Sequence, residues 1–234
     1  MNKEQYSDVI ESLSRERLHS YKQNSEDTDH EILGHYLYNL LENQKLYPPL
    51  HILEIIFRNK THCSIGELLN NKEWLLSYVY EKDPNLNLEL KKIGPKSIEE
   101  FNKNISRALK ASKETAFLQK RNVIEGDLIS NLTFGFWTSL YMHIFSNIFS
   151  NKGIFIITFK NFNFKKLGTN DYLHQEQIIR KQIDLVRKKR NRIFHYDKIN
   201  CHKNLEDDIY KLIYYLSIDC HDFFIQRFKD KIND

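Results

Sequence analysis

The chain has 234 residues, and its 35 Lys and Arg against 31 Asp and Glu give a formal net charge of only +4. With 41% hydrophobic and 28% charged residues, the composition is typical of a folded globular protein and excludes disorder along the whole chain. No apolar run approaches the roughly 20 residues of a membrane span, and the N-terminal residues are too polar for a signal peptide. We therefore expect a cytoplasmic protein without membrane contact.

Helical periodicity dominates the first third of the chain. Residues 1–24 place apolar side chains three to five positions apart, which predicts one amphipathic helix. Thr28 or Asp29 is suited to cap a second helix that continues to Leu41. The Pro48-Pro49 pair should stop that helix and open a third one, because proline is tolerated in a first helical turn.

The middle of the chain has a weaker pattern. We expect a short helix at 74–80, a helix at 96–113 capped by Ser97, and an aromatic-rich core helix at 132–149. Residues 153–164 are ambiguous, because 154–158 have a strand-like composition between helical neighbours.

The last third contains neither Gly nor Pro between 171 and 194, and its apolar residues form a narrow helical stripe. A second helix at 205–228 should pack back on this one as an antiparallel hairpin. The sequence thus predicts one all-α domain over the whole chain, with N-terminal helices 1–70, a middle region 71–170 and the hairpin 171–230.

Three cysteines, an odd number, argue against a disulfide framework. The pairs Cys201-His202 and Cys220-His221 lack the spacing that zinc ligands use. We therefore predict neither a metal nor another cofactor.

Positive charge is concentrated in the first helix of the predicted hairpin. Residues 180–192 contain seven Lys and Arg and one Asp, whereas the two ends of the chain are acidic. A basic helix face of this kind is typical of a solvated surface or of a site that contacts phosphates.

The basic window ends in Arg190-Asn191-Arg192-Ile193-Phe194-His195. An arginine, a polar residue and then a histidine after four intervening positions, on a long helix near the end of a helical chain, resemble the active-site motif of HEPN-superfamily ribonucleases. Three further segments resemble the abortive-infection (Abi-like) branch: Glu16-Arg17-Leu18-His19-Ser20-Tyr21, Leu53-Glu54-Ile55-Ile56-Phe57-Arg58-Asn59 and Gly135-Phe136-Trp137.

The resemblance implies an HEPN-like helical bundle with additional N-terminal helices and a metal-independent RNA-cutting site. It also implies a homodimer that acts in bacterial abortive infection or as a toxin, with an RNA substrate and a small structured non-coding RNA or an antitoxin as further partners. The chain departs from several HEPN toxins in one respect. They carry a tyrosine two residues after the histidine, whereas here Tyr196 follows at once and Asp197 takes that place.

The residue types fit RNA cleavage by attack of the 2′-OH on the adjacent phosphate. A histidine moves protons near neutral pH, and an arginine matches the phosphate oxygens with a permanently charged planar fork. We therefore predict that His195 and Arg190 are catalytic and that Asn191 binds the phosphate or orients the histidine. RNA-binding or supporting roles are predicted for Arg187, Lys188, Lys189, Arg192, Tyr196, Glu54, Arg58 and Asn59.

Helix geometry sets a condition on this prediction. In an ideal helix Arg190 and His195 point about 140° apart. Either the helix ends or distorts near Phe194, or a second subunit completes the site, and the dimer is the alternative we favour.

Simpler interpretations remain open. His195 would then be a helix C-terminal residue near the final carbonyls, and Glu54 and Arg58 a surface ion pair. The chain could be a non-catalytic RNA-binding or scaffold protein that grips phosphates with the same motif. A third hypothesis is a regulatory subunit whose basic face docks an acidic protein.

Overall fold

The computed structural model describes residues 3–80, 95–142, 153–162, 164, 169–195, 197, 198 and 204–232. Its helices are α1 (Lys3–Leu13), α2 (Arg15–His19), α3 (Asp29–Leu69), α4 (Trp74–Val79), α5 (Pro95–Leu118), α6 (Glu125–Asn131), α7 (Phe134–Ser139), α8 (Ile154–Thr158), α9 (Thr169–Phe194), α10 (Leu205–Leu216) and α11 (Ile218–Ile232). These residues include no β-strand, which confirms the all-α prediction. In the described part of the chain, no helix has the length and apolar character needed to cross a membrane.

Helix α3 is one continuous element, so the predicted stop at Pro48 and Pro49 is wrong. A proline inside a helix removes a hydrogen bond and crowds the preceding turn, at a cost of about 3 kcal/mol or more. The turns around the pair bury Leu46, Leu50 and Leu53 almost completely. Burial of one leucine contributes about 2 kcal/mol, so these three residues, together with the buried Ile56, Phe57 and Ile65 farther along α3, outweigh the penalty of both prolines.

Two other predicted helices are each divided at a serine. Ser14 has a φ of 73° and accepts the Arg17 backbone N–H, so it caps α2 and separates it from α1. Ser217 is extended, and its hydroxyl accepts the Cys220 N–H at 3.4 Å at the start of α11. A serine side chain that caps a following helix competes with helix continuation, and apolar periodicity does not report this.

Several boundaries in the middle region also differ from the prediction. Ser97 lies inside α5, which includes Pro95, so Ser97 is not the cap. Residues 132–149 do not form one helix: α6 ends at Asn131, and Thr133 caps α7 through the Phe136 N–H. Residues 143–150 lie outside the described residues, and the ambiguous segment 154–158 is the short helix α8.

Other predictions are confirmed. Thr28 caps α3 and forms a reciprocal capping box with Glu31. The short helix α4 and the long helix α9 occur close to their predicted limits. Phe134, Phe136 and Trp137 are core residues, as expected.

The apolar side chains form two clusters. The main core takes buried residues from α3, α4, α5, α6, α7, α8, α9 and α10. A small second cluster belongs to α1, α2 and the start of α3, which we call the N-terminal unit; its buried residues are Ile10, Leu18, Tyr21, Ile32 and Leu33. The unit is connected to the main core through α3. It also contacts the segment that follows α9, at His195 and Lys198.

Candidate functional site

Helix α9 carries the basic motif on one side of the main core. Ile179, Ile183, Val186 and Ile193 are at most 1% exposed and hold the helix against its neighbours. Arg190 follows Val186 by four residues and therefore lies on the same side, with 24% of its side chain exposed. The motif arginine is thus partly buried, unlike most residues of a solvated basic face.

The backbone terminates α9 immediately before the motif histidine. The His195 N–H donates to the Asn191 carbonyl at 3.0 Å, and the Asp197 N–H donates to the Arg192 carbonyl at 2.9 Å. The second bond closes the helix end as in a Schellman motif. The helix ends at Phe194, as the first of the two alternatives requires, and the dimer stays a prediction.

Arg190 is held by three neighbours. Its Nη2 donates to Glu54 Oε2 at 2.9 Å, its Nη1 donates to Asn191 Oδ1 at 3.3 Å, and its guanidinium lies 4.3 Å from the centre of the Phe194 ring. Its Nε is buried and has no hydrogen-bond partner among the described residues. Since Glu54 pairs with Arg190, the expected surface pair between Glu54 and Arg58 is wrong.

Helix α3 supplies the wall opposite the motif. Tyr47 contacts the Phe194 ring edge-on at 5.1 Å, two turns before Glu54 meets Arg190. The two helices therefore run in opposite directions here, and Arg58, one turn beyond Glu54, lies farther from His195. Arg58 has a buried Nε and no hydrogen-bond or ion-pair partner in the described part of the chain.

His195 is exposed, and its imidazole makes no hydrogen bond or ring contact with a described residue. Its backbone carbonyl, in contrast, accepts a hydrogen bond from Arg17 Nη2 at 2.8 Å. The ring is therefore open to solvent while the main chain that carries it is fixed.

The N-terminal unit holds the segment after the histidine as well. Lys198 Nζ donates to the Ser20 carbonyl at 2.8 Å and lies 5.8 Å from the centre of the Tyr21 ring. Burial raises the pKa of the Tyr21 phenol. The sequence interpretation missed both contacts: Arg17 belonged to a quoted segment but received no role, and Lys198 carried no recognisable signal.

Part of the positive charge on the other basic residues of α9 is paired with a carboxylate of the same helix. Arg187 and Lys188 each contact Asp184 at 2.7 Å, and the pKa of that carboxyl is lowered, first by Lys188 and then by Arg187. Lys189 is partly exposed and has no ion-pair partner among the residues described. Arg192 donates to the Lys198 carbonyl at 2.6 Å.

Asn59 and Tyr196 are the remaining residues of the prediction. Asn59 is exposed on α3 and makes no side-chain hydrogen bond within the described residues. Tyr196 lies outside the described residues. In the part of the chain that is described, no three His, Cys, Asp or Glu side chains are grouped as metal ligands.

The remaining quoted segment, Gly135-Phe136-Trp137, lies in α7 and serves the core. Trp137 is fully buried and packs edge-on against His62 and Trp74. No hydrogen-bond partner of its Nε1 lies among the described residues. The segment therefore supports the fold behind the site and does not contribute a side chain to it.

No protein-family model, curated protein or solved structure matches this chain. The resemblance to HEPN ribonucleases accordingly stands on the quoted sequence segments, and the site is interpreted from its own geometry.

Proposed function

We propose that the chain is a metal-independent endoribonuclease of an abortive-infection or toxin-type bacterial defence system. In this proposal His195 transfers protons, Arg190 stabilises negative charge on the phosphate, and Asn191 orients Arg190 through its Oδ1. The observation that carries the proposal is that the end of one basic helix holds both an exposed imidazole without a described hydrogen bond and an anchored arginine.

The anchoring of Arg190 is compatible with phosphate binding. A guanidinium has five N–H donors, and Arg190 uses two of them on Glu54 and Asn191. Glu54 and Phe194 restrict the side chain to one arrangement, which lowers the entropic cost of binding. The Nε–H is buried, so the second N–H on Nη1 and on Nη2 are the donors left for a phosphate oxygen.

The reaction that suits these groups forms a bond between the 2′-oxygen and phosphorus and breaks the bond from phosphorus to the 5′-oxygen. Neutral His195 accepts the 2′-OH proton, and an imidazolium returns a proton to the leaving 5′-oxygen. Arg190 stabilises the additional charge on the phosphoryl oxygens. The products are a 2′,3′-cyclic phosphate and a 5′-OH, and DNA is not cleaved because it lacks the attacking group.

A homodimer would provide two histidines at one cleft. Arg190 and His195 of one chain share no described hydrogen bond, so a second copy that faces the first would bring one subunit's histidine to the other's arginine. Mixing purified His195→Ala protein with Arg190→Gln protein tests this arrangement. Recovery of cleavage would support a site shared between subunits, and no recovery, with exchange of subunits verified, would contradict it.

Purified protein and a 5′-labelled RNA test the activity itself. Wild-type protein should yield cyclic-phosphate ends in the presence of EDTA, and His195→Ala protein should yield none. His174→Ala is the matched control, since His174 is an exposed histidine on the same helix and has no described side-chain partner. Cleavage by His195→Ala protein would contradict the proposal. Loss of wild-type cleavage on addition of EDTA would contradict it as well.

A second candidate function is non-catalytic RNA binding. It is favoured by the fact that Glu54 and Asn191 already bind Arg190, while the His195 imidazole has no hydrogen-bond partner among the described residues. In that case RNA would remain intact after incubation, and its affinity would fall steeply with salt. Replacement of Arg192 or Lys189 would reduce the salt slope by about one each.

A further inference from the structure

The hydrogen bond from Arg17 to the His195 carbonyl joins positions 178 residues apart. Arg17 lies on α2, a five-residue helix that is capped by Ser14 and anchored by Leu18, which is 1% exposed. Arg17 is an exposed residue, and α2 presents its guanidinium to the end of α9.

The segment that carries His195 is held from two sides. On the α9 side, Arg192 Nη2 binds the Lys198 carbonyl at 2.6 Å, and the Asp197 N–H binds the Arg192 carbonyl. On the other side, Arg17 and Lys198 connect the segment to the N-terminal unit. Because the imidazole has no described partner of its own, its position depends on this backbone support.

We propose that Arg17 is a positioning residue that fixes His195 for proton transfer by binding its backbone carbonyl. This inference rests on the proposed ribonuclease function. Arg17 acts through the main chain of the helix end, where carbonyl groups carry partial negative charge that a cation stabilises. The N-terminal unit thereby becomes part of the machinery that sets the cleavage rate.

Steady-state cleavage by Arg17→Ala protein provides the first test. A displaced histidine should lower kcat by about tenfold or more while KM changes by less than about twofold. Arg17→Lys, which keeps the charge but loses the planar fork, should fall between the two proteins. Arg15→Ala is the matched control: Arg15 lies on the same helix and pairs with Glu11 and Asp29 instead.

An increase in KM with an unchanged kcat would overturn the positioning role and make Arg17 an RNA contact. Unchanged kinetics in Arg17→Ala protein would overturn the inference as well.

Amide hydrogen exchange of the free proteins supplies a readout that does not require activity. The His195 and Asp197 amides are bonded to the last turn of α9. They should exchange faster in Arg17→Ala protein than in wild-type or Arg15→Ala protein, with α10 unchanged. Unaltered exchange at residues 192–198 would overturn the inference. A wild-type protein that leaves RNA intact would instead overturn the proposed function, and the exchange result would then decide separately whether Arg17 holds the segment.

Discussion

Two regions of this protein each combine a histidine with an arginine–carboxylate pair, and they differ in how these groups are used. At the junction of α3, α4 and α6, His62 Nε2 lies 2.7 Å from Glu125 Oε1, and Arg121 binds both oxygens of Asp127. At the end of α9, Arg190 reaches a single Glu54 oxygen. The His195 ring there has no described partner.

The junction is a structural network. Glu125 also accepts the N–H groups of Leu75 and Leu76, so one carboxylate caps α4 and bonds the buried His62. At the end of α9, by contrast, Arg190 keeps N–H donors that Glu54 and Asn191 do not use, and His195 is held through its backbone. Burial and full hydrogen bonding of the side chain thus distinguish a structural histidine from one that is available for binding, although the sequence shows both simply as histidines.

The largest effect should follow from breaking the junction. Glu125→Ala leaves two backbone N–H groups and a buried imidazole without their acceptor, and we expect the free energy of unfolding to fall by about 3 kcal/mol. Urea denaturation at neutral pH measures this. Glu67→Ala, an exposed change on α3, should leave the midpoint unchanged. An equal loss in both proteins would show that Glu125 stabilises the fold no more than an exposed glutamate does.

Arg190→Ala should have a smaller effect, about 2 kcal/mol, because it leaves Glu54 unpaired and uncovers the Phe194 ring. A double-mutant cycle with Glu54→Gln should return a coupling energy of about 1 kcal/mol. Additive losses would contradict the ion pair. The stability loss also means that Arg190→Ala alone is a poor test of catalysis.

The Asp127 carboxylate should make the junction sensitive to acid. Its bonds from Arg121, with help from the Ile124 N–H, lower its pKa to about 2. A lowered pKa in the folded state gives stability that is present above the ordinary aspartate pKa, near 4, and is lost as the pH falls to about 2.

Asp127→Asn protein should therefore lose about 1 kcal/mol or more of stability at neutral pH, because the amide carries no charge to pair with Arg121, and show a weaker pH dependence between 4 and 2. Thermal denaturation across that range compares the two proteins. Parallel curves would show that Asp127 is not the group that titrates.

His195→Ala should change the free energy of unfolding by less than about 0.5 kcal/mol, since the ring is exposed and has no described partner. Urea denaturation of His195→Ala and His62→Ala proteins side by side measures the difference in stability between the two histidines. A loss at His195 as large as that at His62 would show that the ring is structural.

The sequence was informative where periodicity and burial agree. The apolar stripe of α9 and the aromatic residues of α7 could both be predicted, because these residues serve one large core. Continuity of α3 through Pro48 and Pro49 could not be predicted, since it depends on tertiary packing. The breaks at Ser14 and Ser217 depend on side-chain capping, which competes with an otherwise helical pattern.

For the site, the sequence identified residues but not their partners. Arg190 and His195 were selected from the motif, and Glu54 from a quoted segment. That Glu54 binds Arg190 in preference to its neighbour Arg58 depends on how α3 and α9 cross. Arg17 binds a backbone carbonyl, and since every residue has one, the sequence alone cannot reveal this contact.

The most direct test of the ribonuclease proposal is the sequencing of RNA ends from cells that express wild-type, His195→Ala or His174→Ala protein at equal levels. We predict new 2′,3′-cyclic-phosphate and 5′-OH ends with wild-type and His174→Ala protein and none with His195→Ala protein. The same new ends with His195→Ala protein, or no new ends with wild-type protein, would contradict the proposal.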